Sequence, residues 1–258
     1  MKTAWHSLLL TLQFFTVVPI HKEFPLTKKS ITGMFVFLPW IGAAMGLLGM
    51  CSMYALQTYS NSSPLLLAFV LVALFALFTG GLHLDGWIDM SDAFFSYRNV
   101  EKRLEILDDP RVGAFGVLSI LFLVLGKLVI IHELFLQELM PVWAIVFIPF
   151  LTRCGMTFYF MSMKCSKEKG LAYFFKTHIV PKILTVCTFL SLCIAIGIAI
   201  FAGGQLAIPF VLVLVLVIGL IVFRQFTLKN FGGVSGDLLG AFIEGMEVLL
   251  WLTLLLCV

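Results

Sequence analysis

Long apolar runs alternate with short polar segments along almost the whole chain. Seven of these runs approach the ~20 apolar residues that a helix needs to cross the hydrocarbon core of a bilayer. They are residues 35–56, 65–82, 114–131, 141–163, 183–202, 206–223 and 238–258. The pattern predicts an all-α fold, a polytopic integral membrane bundle of about seven transmembrane helices.

A shorter apolar run, residues 5–20, precedes these seven. Its length leaves two readings open, a tilted span or a helix that lies in the membrane interface. Neither a low-complexity linker nor a convincing internal repeat interrupts the chain. We therefore expect a single integral membrane domain over residues 1–258.

Composition excludes the soluble classes. Of the 258 residues, 61% are hydrophobic and 12% are charged, and the mean hydropathy is +1.08, whereas soluble domains have about 45–50% apolar and about 25% charged residues. Sparse charge with 14% aromatic residues also excludes disorder. A net charge of +3 is too small to indicate nucleic-acid binding. The six cysteines lack zinc-site spacing and are interpreted as packing residues.

The distribution of lysine and arginine orients the chain. Fourteen of the 17 basic residues lie in four connections, whereas the alternate connections have none. The basic connections are residues 21–34, 83–113, 164–182 and 224–237. The positive-inside rule places these four in the cytoplasm.

Four charged residues fall inside apolar runs: Lys127, Arg153, Glu244 and Glu247. Charges at membrane depth are costly and normally face a partner or a polar cavity. For Lys127 and Glu247, snorkelling or an internal ion pair is the alternative to a functional role. Arg153 is nearer the middle of its run, which favours a polar cavity.

Half of the 14 acidic residues lie within one predicted cytoplasmic connection. Asp85, Asp89 and Asp92 are spaced i, i+4, i+7, so they form one stripe on a helix that continues from the second apolar run. Three like charges on one face favour a bound cation, and hard carboxylate oxygens suit Mg²⁺ or Mn²⁺. Phosphate oxygens usually complete the coordination shell of Mg²⁺ in phosphoryl transfer. The alternative is a set of acids that keeps a loop hydrated.

Two glycine-bearing turns follow in the sequence. Pro110 ends any preceding helix, and Gly113 and Gly116 flank the start of the next span. Such a turn can present backbone N–H groups to phosphate, and Arg111 adds a bidentate donor. The alternative is a plain turn into the membrane.

The second turn opens the last apolar run. Gly232, Gly233 and Gly236 allow close backbone approach, and Ser235 or Asp237 is placed to cap the helix. One interpretation is that Asp237 only caps the helix. The alternative is that this turn faces the acidic stripe and completes a pocket for phosphate and metal.

Taken together, these motifs resemble the cobalamin synthase family, the adenosylcobinamide-GDP ribazoletransferases. The matched family patterns are T-G-G-x-H-L-D-G-x-x-D-x-x-D at residues 79–92, L-E-I-x-x-D-x-R-x-G at 104–113 and G-G-x-x-G-D-x-L-G-A at 232–241. Arg153, the pair Glu168 and Gly170, and the N-terminal Phe14-Phe15 are also similar, so the resemblance covers nearly the whole chain. It departs at Ala93, where many relatives have glycine.

The resemblance implies a Mg²⁺-dependent transferase of cobalamin nucleotide-loop assembly. The substrates would be adenosylcobinamide-GDP and α-ribazole or its 5′-phosphate, and GMP would leave. It also implies a multi-pass protein of the bacterial cell (inner) membrane whose catalytic segments face the cytoplasm. Homo-oligomers and contacts with other corrinoid-pathway enzymes stay open.

The family motifs carry the expected residue roles. The expected Mg²⁺ ligands are Asp85, Asp89, Asp92 and Asp237. Asp92 is the third ligand or the base, Arg111 stabilises charge on GMP, and His83 is either catalytic or structural. The expected substrate contacts are Arg103, Asp109, Arg153, Gly232, Gly233 and Gly236.

Two other functions are weighed against this one. A membrane transporter would explain charges inside the membrane, but the acidic stripe lies in a cytoplasmic connection. A CDP-alcohol phosphotransferase also uses spaced aspartates, in the pattern D-G-x-x-A-R. Here Asp85-Gly86 is followed by Trp-Ile-Asp, so that pattern is not matched.

Overall fold

The computed structural model of the chain describes residues 2–96, 98–203 and 207–258. Within these ranges the backbone is helical apart from connections, and an isolated parallel bridge joins Cys165 to Val234. The helices are α1 (Lys2–Phe15), α2 (Lys28–Tyr59), α3 (Pro64–Phe78), α4 (Leu82–Phe95), α5 (Val100–Leu107), α6 (Ala114–Leu136), α7 (Val142–Met161), α8 (Gly170–His178), α9 (Pro181–Gly203), α10 (Ala207–Phe231) and α11 (Gly236–Cys257).

Six described helices are long and apolar enough to cross a membrane: α2, α6, α7, α9, α10 and α11. They coincide with six of the seven predicted runs, although residues 204–206, which include the first residue of the run 206–223, lie outside the described residues. α3 and α4 together make a seventh candidate. The prediction of an all-α membrane bundle with about seven spans is confirmed.

The second apolar run does not continue into the acidic stripe as one helix. α3 ends at Phe78, and Gly80 and Gly81 have φ of +63° and +76° before α4 begins at Leu82. Glycine adopts this left-handed backbone at little steric cost, and α4 departs from the direction of α3 by 88°. The prediction that the stripe continues the 65–82 span is therefore wrong, because two glycines give the stripe a helix of its own.

α1 covers the first part of the predicted run 5–20, and its last residue is Phe15. Its 14 residues span about 21 Å, at 1.5 Å per residue, whereas the hydrocarbon core is about 30 Å thick. The Thr11 hydroxyl donates to the carbonyl of Met34 at 3.0 Å, so α1 lies against the start of α2. Its length favours the interfacial reading of this segment.

α7 is the central helix of the bundle. In its apolar window 83% of the residues are buried, against 22% in those of α6, α9 and α10. α2 packs closely on α7 because Gly42 and Gly46 bring its backbone against the main chain of Pro149 and Ile145. The peripheral helices are apolar on most faces, as lipid contact requires.

Four charged side chains meet inside the bundle, and we call them the buried ion cluster. Lys127 of α6 lies 2.6 Å from Glu244 and 3.0 Å from Glu247 of α11, and Arg153 of α7 also pairs with Glu247. Each of these side chains is at most 7% exposed. Their formal charges cancel, which limits the cost of burial. The internal ion pair is thus the observed arrangement for Lys127 and Glu247, and Arg153 shares it.

Replacing Glu247 should unbalance the buried ion cluster. Glu247→Gln removes the carboxylate that both cations share, and breaking a buried ion pair costs about 3–5 kcal/mol. Glu244→Gln leaves Glu247 in place and should cost less. The measurement is the unfolding midpoint in detergent, with Glu133→Gln at a partly exposed site as the control. Equal midpoints for Glu247→Gln and Glu133→Gln would contradict the cluster's structural role.

Candidate active site

The acidic stripe lies on α4, where Asp85, Asp89 and Asp92 share one face as their spacing predicts. α4 packs tightly on the start of α11. A methyl group added at Gly86 would overlap the main-chain carbonyl of Asp237, and one at Gly240 would lie 3.1 Å from the main chain of His83. This close approach brings Asp237 to the stripe.

The carboxylates of this site repel one another. Asp89 is partly buried and lies within range of the charges of Asp85, Asp237 and Asp92, and Asp237 is partly buried within range of those of Asp85 and Asp108. Such a cluster is stabilised by a cation, because like charges at short range otherwise disfavour the folded arrangement.

Asp92 has partners of its own at the start of α6. Its two carboxylate oxygens accept hydrogen bonds from the backbone N–H groups of Gly113, at 3.1 Å, and Gly116, at 3.3 Å. A side chain at Gly113 would overlap this carboxylate, so the site requires glycine. The N–H groups that the sequence suggested for phosphate therefore bind Asp92, as expected for an anion at a helix N-terminus.

The turn before α11 is shaped by a main-chain contact. Val234 N–H donates to the Lys164 carbonyl at 3.0 Å, and Ser166 N–H donates to the Val234 carbonyl at 2.9 Å. Ser235 then caps α11 by accepting from Leu238 N–H at 3.3 Å, and its hydroxyl lies 3.2 Å from an Asp237 carboxylate oxygen. The predicted cap is thus Ser235, and Asp237 remains directed to the site.

A cavity of about 620 Å³ opens beside these carboxylates. Its polar end includes Asp85, Asp108, Asp237 and Ser235, together with Lys167. Its other end reaches between α1, α2, α8 and α11 and is largely aromatic. The arrangement suits a ligand with a charged or hydroxylated part and a flat apolar part.

The comparisons with known proteins agree with the motifs. Residues 7–255 match the cobalamin-5-phosphate synthase family. The chain belongs to this family. Relatives named adenosylcobinamide-GDP ribazoletransferase include that of Geobacillus sp. (strain WCH70), 38% identical over 257 residues, which are 97% of this chain and 95% of the relative. That of Clostridioides difficile (strain 630) is 31% identical over 248 residues, 93% of each chain. No solved structure matches the chain.

Ala93 is the position at which the chain departs from the cobalamin-5-phosphate synthase motifs. Ala93 is fully buried inside α4. The helix continues through it to Phe95, so no turn occurs at Ala93.

Three predicted site residues, Arg103, Asp109 and Arg111, do not line the cavity. Asp109 and Arg111 form a bidentate pair at 2.9 and 2.6 Å, and these hydrogen bonds lower the pKa of Asp109 to about 2. The Arg111 side chain is 86% exposed and is free to meet a ligand in solvent. Arg103 donates to Asn230 at 2.6 Å and stacks on Phe94, so it joins α5 to α10.

The remaining predicted residues divide between cavity and scaffold. His83 and Gly236 line the cavity. Gly232, with φ of +70°, and Gly233, against the main chain of Cys165, shape the turn. Arg153 belongs to the buried ion cluster, and its assignment as a substrate contact stays a prediction.

The donor set fits Mg²⁺ rather than a closed metal cage. Within the ranges that the structure describes, no three His, Cys, Asp or Glu side chains already surround a single point at ligand distance. Mg²⁺ is commonly held by one or two carboxylates and completes its octahedron with water and phosphate oxygens. Converging aspartates at a solvent-facing cavity are consistent with that mode.

Sequence reasoning missed the lysines on the cavity wall. Lys167 lies 2.6 Å from Asp108 and donates to the carbonyl of Leu104 at 2.6 Å, and Lys169 lies 3.9 Å from Asp108. In the sequence, these two lysines indicate only which side of the membrane their connection occupies. Their neighbouring E-x-G pattern, at Glu168 and Gly170, was the signal that pointed to this segment.

Gly86 should be intolerant of any side chain. Gly86→Ala forces α4 away from α11, and overpacking of this kind typically costs about 1–3 kcal/mol. Gly126→Ala is the matched control, because a methyl group there meets open space in a helix and removes a helix-destabilising glycine. The measurement is the unfolding midpoint of each variant in detergent. A midpoint for Gly86→Ala at or above that of Gly126→Ala would refute the close contact.

Proposed function

We propose that this chain is a Mg²⁺-dependent adenosylcobinamide-GDP ribazoletransferase of the bacterial cell membrane. Its family membership and the names of its relatives support the reaction. The observation that carries the proposal is the meeting of Asp85 and Asp237 at the polar end of one cavity, with Asp89 one turn further along α4. Clustered carboxylates of this kind are suited to phosphoryl transfer, in which charge neutralisation and positioning dominate.

The proposed reaction is one substitution at phosphorus. A ribose hydroxyl of α-ribazole, or of its 5′-phosphate, attacks the cobinamide-side phosphorus of adenosylcobinamide-GDP. One oxygen–phosphorus bond forms, the bond to the GMP oxygen breaks, and the hydroxyl proton passes to a base. Because transfer is direct, no nucleophilic serine or cysteine is required.

Three aspartates are the proposed metal ligands. Asp85 and Asp89 come from α4 and Asp237 from α11, so the ligands from the two helices meet at their contact. When bound, Mg²⁺ would neutralise the pyrophosphate and polarise its phosphorus–oxygen bonds. The protein's own contribution is to hold these carboxylates together and to orient the substrate hydroxyl.

Asp92 is better suited to orientation or to a further ligand position than to proton transfer. Its two carboxylate oxygens already accept hydrogen bonds from backbone N–H groups of Gly113 and Gly116. His83 lines the cavity and is the other candidate for the proton. Arg111, held in place by Asp109, would stabilise charge on the departing GMP.

The two alternative functions are not favoured. Neither a transporter nor a CDP-alcohol phosphotransferase is supported by the relatives, whose names specify a ribazoletransferase. Asp85 and Asp237 also lie in the first turns of α4 and α11, and Asp108 follows the last residue of α5, rather than in the middle of a long apolar helix.

The proposal is tested with the full chain in nanodiscs. GMP release from adenosylcobinamide-GDP is followed with and without α-ribazole and Mg²⁺. Release that needs both supports the proposal. Well-folded protein that releases no GMP under any of these conditions would refute it.

Removing one metal-binding carboxylate should abolish most turnover. Asp85→Asn or Asp89→Asn leaves the fold largely intact but weakens cation binding, so we expect GMP release to fall by at least about 100-fold. Higher Mg²⁺ should restore part of it. Glu105→Gln is the control, because Glu105 is an exposed acid on α5 that pairs with Lys102. Near-normal turnover by both aspartate variants would remove the metal assignment.

The site is proposed to face the cytoplasm. Three of the four basic connections touch one another, through the Lys167–Asp108 pair and the Cys165–Val234 bridge, so they lie on one side of the bundle. The positive-inside rule assigns that side to the cytoplasm. α11 begins there, and Val258 therefore lies on the opposite face.

Fusions should report this orientation in the bacterial cell. Alkaline phosphatase, which is active outside the cytoplasm, is expected to be active after Val258 and inactive when inserted after Lys169. A fluorescent protein that matures in the cytoplasm gives the reciprocal pattern. An active phosphatase in the 164–169 segment would reverse the assignment.

A further inference from the structure

The inner end of the cavity is built almost wholly from aromatic and aliphatic side chains. Phe14 and Phe15 come from α1, Phe35 from α2 and Phe175 from α8. Phe14 and Phe175 meet edge to face at 5.3 Å, and Phe35 and Phe175 do so at 5.8 Å. Such walls favour a flat aromatic group that brings no polar edge with it.

The proposed substrates differ sharply in this respect. The guanine of the GDP unit has donors and acceptors around its edge, which would be left unpaired against phenylalanine at a cost of about 1–3 kcal/mol for each group. The corrin unit carries several amide side chains with the same requirement. The dimethylbenzimidazole base of α-ribazole has two methyl groups on its outer edge and no N–H donor.

The polar end of the cavity suits the ribose and the phosphate of that nucleoside. Asp85, Asp237 and Ser235 line the cavity where the ribose would emerge, and Lys167 and Lys169 line the same rim. A ribose there presents its hydroxyl to the metal-binding carboxylates. A 5′-phosphate would meet the lysines, which accounts for either form of the nucleoside.

We infer that this cavity binds the attacking nucleoside, with its benzimidazole ring between α1, α2 and α8 and its ribose at the carboxylate rim. The inference rests on the proposed function and adds to it the placement of the two substrates. Adenosylcobinamide-GDP then approaches the same carboxylates from the solvent side, where Arg111 is exposed.

The test fills the cavity without touching the carboxylates. Ala172 of α8 lines the cavity and is half-buried, so Ala172→Phe occupies the place of the base. The KM for α-ribazole should rise by roughly 10-fold or more, while the KM for adenosylcobinamide-GDP changes by less than about twofold. Ala55→Phe, at an exposed position near the other end of α2, is the matched control and should change neither.

A second variant and a binding measurement distinguish a specific effect on the nucleoside site from misfolding. Phe14→Leu removes one aromatic wall and should raise the same KM by a few fold, since aromatic contacts contribute about 0.5–1.5 kcal/mol. Calorimetric titration of α-ribazole into the protein without adenosylcobinamide-GDP should show binding to the wild type and its loss in Ala172→Phe.

The outcomes separate this inference from the proposed function. An active wild type whose Ala172→Phe variant has an unchanged α-ribazole KM, or a raised KM for adenosylcobinamide-GDP, overturns the placement of the nucleoside and leaves the reaction standing. A wild type that binds α-ribazole in the cavity but releases no GMP overturns the reaction and supports the site.

Discussion

The close contact between α4 and α11 is the constraint on which the site depends. Backbones approach this closely only where side chains are absent, and Gly86 and Gly240 provide that on both helices. Asp85 and Asp89 are remote from Asp237 in the chain, so local structure cannot bring them together. The contact does so, and it also forms one wall of the cavity in which the chemistry is proposed to occur.

The bundle separates its charges according to the surrounding dielectric. At membrane depth, Lys127 and Arg153 are matched by two glutamates, because an unpaired charge in a low-dielectric interior is costly. At the solvent-facing end, acidic groups cluster without equal numbers of cations close by, which is tolerable where water and ions screen them. Charges are therefore paired inside the bundle, whereas acidic groups are in excess at its solvent-facing end.

The sequence predicted the membrane spans because hydropathy is a local property that adds up along a helix. It did not predict the break at Gly80 and Gly81, since the apolar run continues through both residues to Leu82. The motif residues around Asp92 were found, but its partners on α6 depend on how two helices pack. The same limit applies to Arg153, whose position in its run suggested a polar cavity and whose partner lies on α11.

Residue type and spacing were enough to predict the acidic stripe, whereas the shape of the cavity depends on how the helices pack. Asp85, Asp89 and Asp92 share one face in the structure, as their spacing predicts, because all three lie on one helix. The aromatic end of the cavity had no comparable signal, because phenylalanines at Phe14 or Phe175 look like ordinary membrane residues in a chain with 26 of them. Their placement around one cavity appears only after α1, α2 and α8 have assembled.

The buried ion cluster has a consequence for how the protein is made. Synthesis runs from the N-terminus, so Lys127 and Arg153 reach the membrane before Glu244 and Glu247 exist. Until α11 follows, two cations must stay near the interface or be sheltered by water or by the insertion machinery. Closure of the bundle is thereby coupled to the arrival of α11, the helix that also delivers Asp237. The docking of one helix thus both neutralises the two transmembrane cations and brings Asp237 to α4.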